Sequence, residues 1–339
     1  MTDESDQTFR ILMIVTPNFN LTTTTGFIDP MRAANYLDGK LRFRWHIASI
    51  GGGEVSASNG MSIATEPLSD FAAARLDLVV VSSSWSPEAH RPPQLLGALR
   101  KWARGGVAMG ALDTGAFILA DAGLLKGRKA TVHYEHIDAL KELHEDIDVT
   151  EDLFVLAPGR FTCAGGIASV DVALRILEAE CGNALANAAA RYIFHPSARP
   201  EGAPQNPSGL EPLGHTTPPS VRQVIREMEQ NLEETLSIPD ICDRVGLSQR
   251  QVNRLFDRYV GKTPVLYYRD IRLDRARGLV TQTDLPMSEI SAATGFSSQV
   301  HFSKAYKERF GIAPRIDRSE GRIPFEFRAW PMHRKSGPG

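Results

Sequence analysis

Cysteine is scarce in this chain of 339 residues, and its scarcity argues against two kinds of stabilising site. The three cysteines, Cys163, Cys181 and Cys242, are odd in number and widely spaced, with no Cys-x-x-Cys pair and no clustered histidines beside them. Such spacing disfavours both a disulfide framework and a zinc site. We therefore expect no metal and no cofactor.

Long apolar runs are also missing. Residues 1–10 are polar and acidic, and the apolar run at residues 11–15 is far too short for a signal peptide or a membrane span. We therefore expect a cytoplasmic protein with no membrane partner. The composition, 42% hydrophobic and 23% charged, is that of a globular chain, and its length predicts two domains.

The net charge of −2 is small, but it is unevenly distributed. Residues 1–217 hold 18 lysines and arginines against 25 acidic residues, whereas residues 218–339 hold 20 against 15. A basic part joined to an acidic part indicates a nucleic-acid partner, although a charge surplus is more often only a solvated face.

Short apolar runs alternate with helical stretches over residues 8–194. The predicted strands lie at residues 11–15, 45–50, 76–82 and 107–112, and the predicted helices at 29–37, 93–104, 114–122, 134–143 and 169–181. This alternation predicts an α/β sandwich, flavodoxin-like, with a parallel-rich sheet. Residues 195–218 are dense in proline and glycine and predict a linker. An all-α domain is expected over residues 219–318, followed by a tail at 319–339.

The all-α domain contains two similar segments, which begin at Ile241 and Ile290. Each reads as helix, turn and helix. Gly246 and Gly295 stand where a tight turn needs a residue without a Cβ atom, and the serines that follow them can cap the next helix.

The second helix of each segment separates into an apolar face and an exposed face. The predicted apolar residues are Val252, Leu255, Phe256 and Tyr259 in the first segment and Phe302, Tyr306 and Phe310 in the second. The side chains expected to read base edges are Gln249, Arg250, Asn253 and Arg254, then Gln299, Val300, Ser303 and Lys304. Arg258 is placed to reach a phosphate. The second set of reading residues is less basic, so we expect it to contribute less to the DNA-sequence specificity.

The duplicated segments and the helix between them resemble the AraC-type regulator domain over residues 219–318. The resemblance rests on IRLDRA, EISAATGFSSQVHFSKAYKERFG and Pro314. It implies two recognition helices that enter successive major-groove faces about one helical turn apart. The family's usual ending, Pro-x-x-Tyr-Arg, reads Pro-Arg-Ile-Asp-Arg here, which leaves only the last contact in question.

In the first domain, GALDTGAFILADAGLLKGRKATVHYEH follows a buried strand and turns sharply into a helix, the geometry of a nucleophile elbow with Asp113 at its tip. The segment resembles PfpI-type intracellular proteases and class I glutamine amidotransferases, which have a cysteine at the elbow and a histidine about twenty residues later. His133 matches that histidine, and Asp29 falls where the superfamily often has a glutamate. The elbow cysteine is absent, and Cys163 reads as a small buried hydrophobe, so amidase or protease activity is disfavoured. An aspartate nucleophile remains conceivable.

The combination of the two domains resembles the GlxA-like regulators through ILMIVTPNFN, MRAAN, GAFILADAGLL, ATVHYEH and TCAGGIASVDVALRI. The resemblance implies that the old active-site cleft has become a small-molecule sensor, that the first domains pair into a dimer, and that the protein is an activator. No catalytic residue is assigned. The candidate ligand-binding residues lie in loops at the strand ends: Asn18, Phe19, Asp29, Ser83, Ser84, Trp85, Asp113, Thr114 and His133.

Two carboxylates, Asp113 and Asp29, and the aromatic face of Trp85 suit an ammonium or quaternary ammonium group. The resemblance makes betaine, carnitine or a basic amino acid plausible as the effector. Each residue also has a plain structural interpretation: Trp85 packs on its own strand, His133 is a scaffold histidine, and Asp113 caps the helix that starts at Thr114.

The leading hypothesis is a ligand-responsive transcription regulator whose partners are promoter DNA, a small-molecule effector, RNA polymerase and a second copy of the chain. The first alternative is a PfpI-like hydrolase or amidotransferase with a DNA-binding tail. The second is an architectural DNA binder without a ligand.

Overall fold

The computed structural model describes residues 8–196, 198–205 and 218–319, which form two compact units divided between residues 205 and 206. The first unit is an α/β domain and the second is entirely helical. Among the described residues, no helix combines the length and the apolar character needed to cross a membrane.

The described part of the first unit contains ten strands and six α-helices. The strands are β1 (Phe9–Val15), β2 (Phe43–Ser49), β3 (Gly53–Ser56), β4 (Ser62–Pro67), β5 (Leu78–Ser83), β6 (Ala108–Asp113), β7 (Lys129–Thr131), β8 (Asp148–Thr150), β9 (Phe154–Ala157) and β10 (Arg160–Cys163). The helices are α1 (Leu21–Asp38), α2 (Pro93–Arg104), α3 (Gly115–Asp121), α4 (Ile137–Leu143), α5 (Ala168–Cys181) and α6 (Asn183–Tyr192).

Eight strands form one sheet in the order β3-β4-β2-β1-β5-β6-β10-β9, and β7 pairs with β8 in a separate ribbon. The six central strands, from β4 across the sheet to β10, are all parallel to their central neighbours. The two edge strands, β3 and β9, are antiparallel to the strands beside them. The strand β1 shows why the sheet is buried on both faces: Leu12 and Ile14 enter one core, and Ile11, Met13 and Val15 enter the other. The predicted parallel-rich α/β sandwich is confirmed.

Helix α1 begins at Leu21, eight residues before the predicted start at residue 29. Its first turns, LTTTTG, are poor in helix-forming residues, so the sequence pattern does not reveal them. Asn20 supplies the missing signal, because its side chain accepts a hydrogen bond from the backbone of Thr23 at 3.1 Å and caps the helix. Gly26 then allows a close approach to α5, since a Cβ atom there would lie 2.7 Å from the hydroxyl of Ser169.

Part of the predicted linker is bonded to the first domain. Residues 195–196 and 198–205, which we call the exit segment, return across the domain after α6. The fully buried carboxylate of Asp171 accepts hydrogen bonds from the imidazole of His195 at 3.0 Å and from the guanidinium of Arg199 at 2.9 and 2.7 Å. Proline and glycine content predicted an interdomain linker, and its attachment to the first domain was not foreseen because long-range bonds leave no local pattern. The rest of the predicted linker at 206–217, and the tail from residue 320, lie outside the described residues.

Over residues 218–319, the second unit consists of seven helices: α7 (Pro219–Glu229), α8 (Ile238–Val245), α9 (Gln249–Tyr259), α10 (Pro264–Gln282), α11 (Met287–Ala293), α12 (Gln299–Phe310) and α13 (Pro314–Ser319). Two hydrophobic cores share the long helix α10: Tyr268 belongs to the core built with α7, α8 and α9, and Leu273 to the core built with α11 and α12. The unit is therefore a tandem of two small subdomains on a common helix, as the sequence repeat predicts.

The departure from the usual AraC-type ending, an aspartate in place of tyrosine, has a structural role. Asp317, which stands where the AraC-type pattern has tyrosine, is fully buried and accepts a hydrogen bond from the hydroxyl of Tyr306 at 2.7 Å. The guanidinium of Arg277 lies 3.3 Å from the same carboxylate. The aspartate thus ties α13 to α10 and α12.

Candidate ligand cleft and nucleic-acid interface

The elbow at Asp113 is held in place by close backbone packing. Asp113 ends β6 with a φ of 56°, a left-handed conformation that is unusual for a residue with a side chain. Gly165, with a φ of 98°, lies directly against it, because a Cβ atom at that glycine would be 3.0 Å from the Cβ of Asp113. At the start of α3, Gly115 packs on the carbonyl of Val81 with no space for a side chain. The sharp turn predicted from the sequence is present.

The carboxyl group of Asp113 is buried and titrates close to neutral pH. Burial raises its pKa to about 6, against the opposing effects of the nearby His133, a hydrogen bond from Asn20 and one from the backbone of Thr114. The amide of Asn20 donates to the carboxyl oxygen at 3.3 Å. This group is therefore an acid that a bound cation can hold in its ionised form.

Hydroxyl groups beside the elbow join the ends of neighbouring strands. Ser83 stands opposite Asp113 in the register of β5 and β6, and its hydroxyl accepts a hydrogen bond from Thr16 at 2.8 Å. The hydroxyl of Thr114 donates to the carbonyl of Ser84. These side chains are buried, and the two hydrogen bonds hold the ends of β1, β5 and β6 together beneath the elbow.

More accessible groups lie in the segments that follow β5 and β7, and one of them, His133, interacts electrostatically with Asp113. The side chain of His133 is 32% exposed, its Nδ1 atom lies 3.9 Å from the carboxylate of Glu135, and its ring is 4.5 Å from that of Tyr134. Tyr134 is 60% exposed, and Trp85 is half-buried just beyond β5. Tyr134 is absent from the set of candidates drawn from the sequence, although its position beside His133 could have indicated it.

Three predicted ligand residues have other surroundings. Asp29 forms an exposed ion pair with Arg32 at 2.6 Å, two turns into α1, and it is Asn20 that contacts the elbow carboxyl group. Phe19 is fully buried in a core of the sheet. Asn18 has a φ of 62°, and its backbone N–H donates to the carbonyl of Ser56. Asn20 follows β1 and is a residue type that often caps a helix. That signal could have identified it as the residue next to Asp113.

Cys163 cannot replace the missing nucleophile. Its thiol is fully buried, and burial raises its pKa to about 12, so the thiolate is not formed near neutral pH. The interpretation of this cysteine as a small buried hydrophobe agrees with its surroundings.

One trio of side chains in the described part of the chain has the composition of a metal site. Donor atoms of His133, Glu135 and His136 lie within 4.8 Å of one another, a clustering that the sequence analysis did not anticipate. The donors come from one short turn, in which Glu135 is exposed and His136 is buried, and this grouping alone assigns no metal.

The first predicted reading helix, α9, presents the expected face. Gly246 ends α8 with a φ of 69°. Ser248 caps α9 through two reciprocal bonds with Gln251: the backbone N–H of Gln251 donates to the hydroxyl of Ser248 at 3.3 Å, and the backbone N–H of Ser248 donates to the side-chain oxygen of Gln251 at 2.8 Å. Val252 and Phe256 are buried below. The predicted reading residues are all exposed: Gln249, Arg250, Asn253, Arg254 and Arg258.

The second predicted reading helix, α12, repeats this arrangement with a less polar surface. Ser298 caps it by accepting from the backbone of His301 at 3.3 Å. Val300 is 76% exposed and Lys304 is also exposed, whereas Gln299 and Ser303 are half-buried. The exposed valine offers a contact for a thymine methyl group.

The two reading helices are held in a fixed relation by contacts between the subdomains. The guanidinium of Arg272 on α10 lies 4.4 Å from the ring centre of Phe296 and donates to the carbonyl of Thr294 at 2.9 Å. Gly295 packs against the loop between α7 and α8, where Leu232 and Thr235 leave no space for a side chain. The second turn therefore rests on the first subdomain, which sets the spacing of the two helices.

The fold and these two sites define a DNA-binding transcription regulator built on an enzyme-like sensor domain. Residues 9–179 match the DJ-1/PfpI family, and residues 241–319 match a helix-turn-helix domain family. The chain belongs to the family of transcriptional regulators that join a DJ-1/PfpI domain to an AraC-type helix-turn-helix domain, as the sequence resemblance implied.

Two relatives span nearly the whole chain. The HTH-type transcriptional regulator CdhR of Pseudomonas aeruginosa is 38% identical over 92% of this chain and 92% of its own length. The HTH-type transcriptional regulator GlxA of Rhizobium meliloti is 33% identical over 90% of this chain and 94% of its own. A crystal structure of an AraC family transcriptional regulator from Pseudomonas putida, 25% identical, superposes with a TM-score of 0.50 and covers 55% of this chain and 99% of that one. The DJ-1/PfpI fold is shared with enzymes, but these relatives are named regulators.

Proposed function

We propose that this protein is a non-enzymatic transcription regulator whose binding to promoter DNA is controlled by a small cationic metabolite in the cleft at Asp113. The observation that carries the proposal is the elbow itself. The position at which an enzyme of this fold would hold a thiolate has a buried carboxyl group with a pKa of about 6. Near neutral pH such a group is largely ionised and can pair with a cation, and the polarisable thiolate that the enzymes use is absent.

The chemistry of the cleft supports a quaternary ammonium compound or an amino acid as the effector. A cation that enters the cleft meets the carboxylate of Asp113, and the rings of Tyr134 and Trp85 lie in the flanking loops. Aromatic faces and a carboxylate are the groups that bind quaternary ammonium ions. A bound cation stabilises the ionised carboxylate, which burial has deprived of stabilising water. Ligand binding and the ionisation of Asp113 are therefore coupled.

The exit segment offers a physical link from the cleft to the DNA-binding unit. The side-chain amide of Gln205 donates to the carbonyl of Val132 at 2.8 Å and to the hydroxyl of Thr131 at 3.0 Å. Val132 immediately precedes His133, whose charge acts on Asp113. A ligand that shifts His133 therefore displaces Gln205, the last residue of the exit segment.

The remaining partners follow from exposed surfaces and from the function. Tyr36 on α1 and Tyr192 on α6 are 69% and 42% exposed, with ring centres 5.3 Å apart, and Phe194 beyond them is 93% exposed. An apolar patch of this kind supports a homodimer through the first domain. An activator of a catabolic operon in addition contacts RNA polymerase.

A thermal-shift screen of the full chain with betaine, carnitine and arginine tests the proposal. We expect at least one of these compounds to raise the melting temperature and to change DNA affinity by about 5-fold to 150-fold, the usual range of allosteric coupling. Asp113→Ala should remove both effects. The hydrolase alternative predicts instead a turnover that Asp113→Ala abolishes, and the architectural alternative predicts no shift with any metabolite.

Substitution of Arg254 by alanine tests the reading role of α9. We expect DNA affinity to fall by about 1–3 kcal/mol and the preference at one base position to relax, because an exposed arginine here can bind a guanine edge with two hydrogen bonds. The matched control is Arg258→Ala, which should weaken binding to all sequences alike and reduce the salt slope by about 1. Unchanged affinity and preference in Arg254→Ala would contradict the assignment.

Substitution of Gln205 by alanine tests the exit segment. We expect the variant to bind the effector with an affinity within about twofold of the parent, while the effect of the effector on DNA affinity is largely lost. Gln94→Ala, at an exposed glutamine on α2, is the control and should behave as the parent does. Undiminished coupling in Gln205→Ala would show that the signal travels by another route.

A further inference from the structure

An open cavity lies at the end of the sheet opposite the elbow, where β6 and β10 begin. Arg160 begins β10 and pairs with Met109 near the start of β6, whereas Asp113 is the last residue of β6. The cavity has a volume of about 310 Å³ and is lined by the last turn of α2, the turn after α3 and the side chain of Arg160. It is therefore separate from the cleft proposed for the effector.

The charged groups of this cavity all have the same sign. Its lining contains Arg100, Arg104 and Arg160 and no acidic residue. Within the described ranges, no carboxylate lies within ion-pair distance of any of these three guanidinium groups. Three arginines around one concave surface repel one another unless an anion is bound between them.

Arg160 is the most buried of the three, and its hydrogen bonding is incomplete. Its Nη1 atom donates to the carbonyl of the neighbouring Gly159 at 2.6 Å, but its Nε atom is removed from solvent and has no hydrogen-bond partner in the part of the chain that the structure describes. Burial, and then the charge of Arg128, lower its pKa. A buried charged donor without an acceptor is unfavourable, so a ligand that accepts hydrogen bonds from this guanidinium group stabilises the site.

We propose that this cavity binds a small oligoanion, a metabolite with phosphate or carboxylate groups, as a second input to the sensor domain. Guanidinium groups bind both kinds of anion with paired hydrogen bonds. The volume is sufficient for an anion of the size of pyrophosphate or citrate. Arg100 and Arg104 also lie near the carbonyl end of α2, which attracts cations, and a role confined to that helix end predicts a change in stability without any dependence on anions.

Calorimetric titration of the full chain with sodium pyrophosphate and with sodium citrate, at constant ionic strength, tests the proposal. We expect saturable binding that weakens at least about tenfold in Arg160→Gln. Arg104→Gln, at an exposed helix end, should weaken binding similarly and does not disturb the interior, so it keeps the test valid if Arg160→Gln is poorly folded. A preference for one of the two anions identifies the acceptor group.

Two control variants separate this site from other basic surfaces. Arg44→Gln changes an exposed arginine on β2, and Arg254→Gln changes the DNA-reading helix. Both should bind the anions as the parent does. The proposal is overturned if Arg160→Gln and Arg104→Gln retain parental binding, if neither anion binds, or if Arg254→Gln alone abolishes binding.

Discussion

Replacement of Gly295 by alanine is expected to destabilise the helical unit by about 2–5 kcal/mol, clearly more than the same change at Gly246. The two glycines occupy equivalent turns, and each has a φ of 69°. Alanine costs about 1–2 kcal/mol in this conformation at either position. At Gly295 alone, the new Cβ atom would lie 2.5 Å from the methyl group of Thr235 and 2.6 Å from the carbonyl of Leu232, and relief of this overlap adds about 1–3 kcal/mol.

Denaturant unfolding followed by helical signal, together with DNA affinity, measures the difference between the two variants. Gly246→Ala is the matched control, because nothing lies within 4 Å of its added Cβ atom and it should keep DNA binding. Gly295→Ala should lose DNA affinity as well, since relief of the overlap tilts the second reading helix away from the first. Equal losses in both variants would mean that the contact between the subdomains does not set their orientation.

Substitution of Asp113 by asparagine is expected to stabilise the sensor domain above pH 6. The pKa of the carboxyl group rises from 3.8 to about 6 on folding, so the folded state disfavours its ionised form. Below pH 3.8 the group is protonated in both states and costs nothing; the penalty grows from there and is complete above about pH 6. At 1.36 kcal/mol for each pKa unit, the penalty at pH 7.5 is about 2–3 kcal/mol, which the neutral asparagine removes.

The dependence on pH distinguishes this effect from ordinary repacking. The free energy of unfolding of Asp113→Asn should exceed that of the parent at pH 7.5, and the two should converge as the pH falls towards 4. Asp29→Asn, at an exposed ion pair, serves as the control and should show no such gain. A difference between Asp113→Asn and the parent that is the same at every pH would contradict a buried titrating carboxyl group. Loss of the effector response in the same variant would link the penalty to ligand binding.

The features that the sequence predicts well are those with a local pattern. The uninterrupted apolar residues of β1 and β5 predict buried parallel strands, and the repeat with its Gly246 and Gly295 turns predicts the paired helix-turn-helix units. The short polar strands β3 and β4 were not predicted, because their side chains are mostly exposed and carry no apolar alternation.

The features that the sequence did not predict depend on contacts between distant residues. Asn20 contacts Asp113 across 93 residues of chain, and Gln205 contacts Val132 across 73. Neither pair leaves a spacing that can be read locally. Asp29 was chosen on superfamily resemblance, and its ligand role stays a prediction; the structure shows it in an exposed ion pair within α1.

Selection of bound duplexes from a random DNA library with the full chain tests the central claim most directly. Two reading helices held at a fixed distance should enrich two short sequence blocks for each protomer, with centres about 10 base pairs apart. Arg254→Ala should flatten the block read by α9 and leave the other intact. Enrichment of a single block, or of none, would contradict the account of a tandem DNA reader.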